Sequence, residues 1–199
     1  MPNHDRQSLP RAAGAMTAEE FKIVRWREWE GPGLEHLVLR ERAGEVLADS
    51  VVICSGQTPF AVRYRISCDA NWRARSVTVD MIGSERTLVL ASDGDGHWAR
   101  DGMPVPELDG VFDPDLTVTP FTNTLPIRRL QLSTGQTAEI TTAFVDFPAL
   151  TVVSNPQRYS CLEEGRRYLY ESRASDFKRE LEIDDDGLVV SYPDFWQRG

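Results

Sequence analysis

From Phe21 onward, short apolar stretches alternate with turn residues along the whole chain. Stretches rich in Val, Ile, Leu, Tyr, Trp and Thr recur roughly every 8–12 residues, the texture of an all-β domain rather than the 3.6-residue period of helices. Lys22–Glu30 ends at Gly31-Pro32-Gly33, Leu34–Arg42 at Ala43-Gly44, and Glu45–Cys54 at Ser55-Gly56-Gln57-Thr58-Pro59. Phe60–Cys68, Trp72–Ile82, Glu85–Ser92 and His97–Asp101 follow. After an irregular middle come Ile127–Ser133, Gln136–Asp146, Leu150–Val153, Gln157–Leu162, Arg166–Ala174, Phe177–Ile183 and Leu188–Tyr192.

Two stretches alternate cleanly. Val62, Tyr64, Ile66 and Cys68 share one face and Arg63 and Arg65 the other; Phe177, Arg179, Leu181 and Ile183 oppose Lys178, Glu180 and Glu182. Each such strand lays one apolar face on a core. Gly135, Gly165 and Gly187 supply the positive φ of hairpin turns. About a dozen hairpin-linked strands cannot remain a flat sheet, so the expected fold is a single rolled antiparallel sheet. A half-barrel or spiral β-roll of this size encloses an apolar cavity. The expected domain is 21–198. Residues 1–20 are polar and read as a disordered tail, with at most a helical turn at Thr17–Phe21 from the Thr17/Glu20 capping box. No other amphipathic helix longer than two turns is expected.

Residues 103–130 break the pattern with five prolines, which exclude a central strand for most of their length. Phe112, Leu116, Phe121 and Leu125 in the same segment want burial, so it should be ordered, with Phe112, Phe121 and Leu125 packed inward. Its Asp, Thr, Asn and Arg residues fit recognition of a polyhydroxylated or phosphorylated head group, and equally a rigid crossover in which they tie up backbone groups.

A formal charge of −9 and a pI near 4.9 exclude the basic footprint of a nucleic-acid binder. No stretch reaches the ~20 apolar residues of a membrane span. Met1–Met16 carries His4, Asp5, Arg6, Pro10 and Arg11 without an apolar run, so no secretory leader is expected and a cytoplasmic location is. Cys54, Cys68 and Cys161 suit free thiols, although Cys54 and Cys68 could pair across neighbouring strands.

The candidate chemistry is sparse. Asp93-Gly94-Asp95-Gly96 begins like a calcium loop, but its fifth and twelfth positions would be His97 and Pro104, so it reads as a turn. His4, His36 and His97 stand singly, there is no Gly-x-Ser-x-Gly elbow and no phosphate-cradling glycine loop, and no metal or cofactor is expected. Arginine is the residue suited to bidentate anion contact, and Arg73, Arg75 and Arg128 stand beside polar groups. Trp72, Tyr64 and Tyr170 are core or cavity-lining aromatics that could also stack on sugars.

The string Thr119-Pro120-Phe121-Thr122-Asn123-Thr124-Leu125-Pro126-Ile127-Arg128-Arg129-Leu130, preceded by Leu108-Asp109-Gly110, resembles the glycolipid-binding family of bacterial proteins. Tyr64-x-Ile66-x-Cys68-Asp69-x-x-Trp72-Arg73-x-Arg75, Tyr168-x-Tyr170-Glu171 and Asp186-Gly187-Leu188-Val189-x-x-Tyr192-Pro193 agree with it, and the resemblance runs from about Phe21 to Arg198. It implies a rolled β structure similar to bacterial lipoprotein-carrier half-barrels, and it brings no catalytic residues. The expected function is therefore non-catalytic binding of a glycolipid-like amphiphile, with Arg73, Arg75 and Arg128 near the cavity rim beside Asp109 and Asn123, and with Trp72, Tyr64 and Tyr170 against the ligand. The alternative is a hydrolase or isomerase using Asp109, Asp113 or Asp115 as general acid–base, which a carboxylate of raised pKa inside the cavity would favour. Nothing in the sequence sets an oligomeric state.

Overall fold

Alternation decides which side of each strand turns inward. In Phe60–Asp69, Val62, Tyr64, Ile66 and Cys68 are buried while Arg65 is exposed and Arg63 half-buried, as their spacing predicts. The computed structural model describes residues 21–42 and 44–199. It contains β1 (Phe21–Glu28), β2 (Leu34–Arg42), β3 (Glu45–Cys54), β4 (Phe60–Asp69), β5 (Ala74–Met81), β6 (Thr87–Ser92), β7 (Trp98–Arg100), β8 (Met103–Pro104) and β9 (Asp113–Leu116). A helix α1 (Phe121–Leu130) follows, then β10 (Thr137–Asp146), β11 (Thr151–Glu163), β12 (Arg167–Ser172), β13 (Lys178–Ile183), β14 (Val189–Tyr192) and β15 (Trp196–Arg198). The tail and the turn expected at Thr17–Phe21 lie outside the described residues, except Phe21, which begins β1.

All strands belong to one open, curled 15-stranded sheet, ordered β8-β7-β6-β5-β4-β3-β2-β1-β15-β14-β13-β12-β11-β10-β9. It is two antiparallel meanders, β1–β8 and β10–β15, joined where β1 pairs antiparallel with β15. Trp26, fully buried in β1, donates its indole N–H to the Val189 carbonyl at 2.7 Å and so ties the meanders across that seam. The exception to antiparallel pairing is β9, which runs parallel to β10 and places Asp115 opposite Phe144. The crossover before β9 bonds back to the first meander through Gly110 N–H to Gly96 O (2.9 Å) and Ala74 N–H to Phe112 O (3.3 Å). Gly96 has to be glycine there: its φ is +97° and a Cβ would lie 3.0 Å from the Gly110 Cα.

The middle segment corrects the sequence expectation. Residues 121–130 form a ten-residue helix rather than an irregular crossover leading into a strand at Ile127–Ser133, and Phe121 through Ile127 are all buried. Burial all round leaves no amphipathic stripe, which is why periodicity gives no sign of the helix. Pro120 sits at the N-cap and costs nothing, whereas Pro126 removes an interior backbone bond and works against a helix by ~3 kcal/mol. Packing of Phe121 and Leu125, both fully buried, offsets that loss, since burying such a side chain contributes roughly 1.5–3 kcal/mol. The chain leaves the helix at Gln131, left-handed at φ 49°, with its N–H on the Ile127 carbonyl. Phe112, expected inward, is half-buried. Cys54, Cys68 and Cys161 are free thiols. Among the described residues no helix is long and apolar enough to cross a membrane.

Candidate ligand pocket

A pocket of about 510 Å³ lies beside the first turn of α1. Three parts of the sequence build it. The β9–α1 link contributes Asp115, Thr119 and Asn123; β10 and β11 contribute Phe144, Val153, Ser154 and Asn155; the C-terminal hairpins contribute Tyr170, Phe177, Tyr192, Phe195 and Trp196.

The polar end is held by named contacts. Gln157 donates its amide N–H to Asp115 Oδ2 at 2.7 Å, and the Thr122 hydroxyl donates to Asp115 Oδ1 at 3.3 Å. Burial pushes the Asp115 carboxyl above its usual range, against these two hydrogen bonds. Asn123 donates to the Tyr159 hydroxyl at 2.9 Å. Thr119 accepts the Phe121 N–H at 3.0 Å and meets the Tyr64 hydroxyl at 3.2 Å. Behind it, Tyr64 donates to Glu35 Oε1 at 2.6 Å, and Ser50 donates to the same oxygen at 2.8 Å. Glu35 is fully buried, and desolvation pushes its carboxyl up to about 7 despite the hydrogen bonds from Tyr64, Thr119 and Ser50. Among the described residues Glu35 Oε2, Thr124 Oγ1 and Gln157 Oε1 are buried without a hydrogen-bond partner. Unsatisfied groups of this kind concentrate around the first half of α1 and its neighbours, where a rigid, fully satisfied core would have none.

The apolar wall is a closed circuit of four rings. Tyr170 and Phe177 are 5.9 Å apart between centroids, Phe177 and Phe195 5.5 Å, Phe195 and Tyr192 5.1 Å, and Tyr192 and Tyr170 6.5 Å. Burial raises the Tyr170 and Tyr192 hydroxyls, and the nearby Asp115 carboxylate raises them further, so both stay neutral.

The sequence-predicted site residues separate into two groups. Asn123 and Tyr170 line the pocket, and Tyr64 reaches it through Thr119. Trp72, Arg73, Arg75, Asp109 and Arg128 lie elsewhere. Arg128 stacks 4.5 Å above the Trp72 ring and donates to the Asp186 carbonyl at 3.0 Å. Trp72 is buried with a left-handed φ of 62°. Arg73 stands 5.0 Å over Phe112 and donates to Gly94 O at 3.3 Å; Arg75 bonds Asp69 at 3.0 Å and the Asp93 carbonyl. Asp109 is exposed and ends a single 3-10 turn. Of the acid–base candidates, Asp113 is buried and gripped by Arg129, with a shortest contact of 2.6 Å, and only Asp115 lines the pocket. Asp93 is a turn residue: its carboxylate accepts the backbone N–H groups of Asp95 and His97. Among the described residues no group of three His, Cys, Asp or Glu side chains could hold a metal ion.

The sequence reading passes over Glu35, Thr119, Phe177, Phe195 and Trp196. One signal for Glu35 was present: it alternates with Leu37 and Leu39 on the inward face of β2.

A family model described as "putative glycolipid-binding" matches residues 23–198. The fold is similar to the 1.80 Å crystal structure of a DUF1089 family protein from Pseudomonas aeruginosa, with a TM-score of 0.72 and 38% sequence identity over 86% of this chain and 95% of that one. The curated proteins contain no match to the chain.

Proposed function

Because the chain belongs to the glycolipid-binding family, we propose that it holds one amphiphilic small molecule in the pocket beside α1 and returns it chemically unchanged. The observation that carries this reading is the pocket's mixed lining: four aromatic rings together with Asp115, Asn123 and Thr119. A concave, mostly apolar site with a few placed polar groups is the usual form of a small-molecule site, and 510 Å³ lies within the ordinary range of about 300–1,000 Å³.

A second reading is acid–base chemistry at Asp115, favoured by its raised carboxyl inside the pocket. Native mass spectrometry of the purified protein separates the two. Binding predicts a co-purified ligand that is lost when Ala174 at the pocket wall is changed to Trp, and that is recovered at unchanged mass after incubation. Conversion of the recovered ligand favours catalysis, and equal occupancy in Ala174→Trp places the ligand outside this pocket.

A further inference from the structure

We propose that the polar end of the ligand is a cation, an amine or quaternary ammonium, seated between the Asp115 carboxylate and the ring circuit of Tyr170, Phe177, Phe195 and Tyr192. This rests on the pocket reading above and specifies its ligand class.

The charge inventory of the wall points one way. Asp115 is the pocket's charged lining residue, no Lys or Arg among the described residues lines it, and the carboxylate is held only by the neutral donors Gln157 and Thr122. An anionic head group would sit beside an uncompensated carboxylate in a partly dry site, where like charges repel most strongly. A cation would instead supply the counter-charge that Asp115 lacks.

The rings add a second, independent attraction. Aromatic faces carry the negative side of a quadrupole, and a cation within about 6 Å of a ring centroid is drawn to it. Neighbouring centroids in the circuit are 5.1–6.5 Å apart, so a cation seated on the face of one ring lies close to the next ring as well. One ring already holds a cation: the Arg179 guanidinium lies 4.9 Å over Phe177. Arg179 is bridged to Asp194 at 2.9 Å, so the pair brings no net charge to the rim. The overall charge of −9 favours approach of a cation over that of an anion.

The test uses three alkyl probes of one chain length below their aggregation concentrations: octyltrimethylammonium, octyl glucoside and octyl sulfate, each titrated calorimetrically into the full chain. The ammonium probe is expected to bind at least about tenfold more tightly than the glucoside, and the sulfate most weakly. Asp115→Asn should cut ammonium affinity at least about tenfold and abolish the preference for ammonium over glucoside. Phe195→Leu, which keeps apolar bulk and removes the ring face, should weaken the ammonium probe selectively, and it decides the matter if Asp115→Asn does not fold. Glucoside or sulfate binding as tight as ammonium overturns the cation while leaving the pocket in place, and so does an Asp115→Asn variant that keeps the ammonium preference. If no probe binds, the pocket reading falls and the cation with it.

Discussion

The two ends of α1 carry similar kinds of residue and do opposite things with them. At its C-terminal end Arg128 and Arg129 are each engaged within the fold: Arg129 grips Asp113 and lies 5.5 Å from the Phe112 ring, while Arg128 covers Trp72, bonds the Asp186 carbonyl and lies 3.7 Å from Glu41. At its N-terminal end Asp115 and Thr119 face open volume, and buried acceptors behind them stay unpaired. The arginine end is therefore a closed structural joint between helix and sheet, and the other end is where the molecule keeps polar groups available. Charged residues in an unusual sequence string are thus no guide to a binding site until their partners are known; a guanidinium already holding a carboxylate and a ring has little left for a ligand.

The largest effect should come from opening the closed end. Arg129→Met leaves Asp113, 1% exposed, as an unpaired buried carboxylate, and should cost about 3–5 kcal/mol in urea unfolding. Ligand affinity of the protein that remains folded should not change. A variant that keeps its stability and loses ligand would reverse the roles of the two ends.

Glu35 gives the next effect, and its sign is definite. Its carboxyl ionises at 4.5 ordinarily and at about 7 in the folded state, so the folded protein holds a proton that the unfolded chain releases. The contribution of Glu35 to stability is complete below pH 4.5 and is lost as pH rises through about 7. A rise from 4.5 to about 7 corresponds to on the order of 3 kcal/mol. Glu35→Gln should remove that pH-dependent loss, becoming more stable than wild type above pH 7 in parallel urea titrations. Equal slopes in the two proteins between pH 4.5 and 7 would mean that the Glu35 charge is compensated.

Smaller effects sharpen the contrast. Phe195 is 40% exposed, so Phe195→Ala should cost only about 1–2 kcal/mol in unfolding, and it should weaken the bound probe by about tenfold through the loss of one wall of the ring circuit. Arg75→Ala removes an exposed ion pair with Asp69 and should cost no more than about 1 kcal/mol, with binding unchanged.

The strands are legible in the sequence because apolar stretches end at turn residues, and the cleanest of them alternate: Val62, Tyr64, Ile66 and Cys68 declare the inward face of β4 without help. The helix is not, because two rules conflict there. Pro126 and the Thr-Asn-Thr run argue against it locally, and only the curled sheet around it supplies the burial that decides the outcome. The pocket is half legible for a related reason. Asn123 and Tyr170 are readable as polar and aromatic candidates, but the ring circuit joins two hairpins, Tyr170 with Phe177 and Tyr192 with Phe195, and no local spacing links one pair to the other. Asp115 could be named as a carboxylate of interest, but nothing in the sequence distinguishes it from Asp113; the partner Arg129 does that in three dimensions.

The most direct test of the contrast is a residue-resolved map of amide chemical shifts as an alkyl-ammonium or alkyl-glucoside probe is added. The account predicts that shifts cluster at Asp115–Asn123, Tyr170–Phe177 and Tyr192–Trp196, with Trp72–Arg75 and Arg128–Arg129 unmoved. Shifts concentrated at Trp72, Arg73 and Arg128 with a silent ring circuit would contradict it and place the ligand at the arginine end.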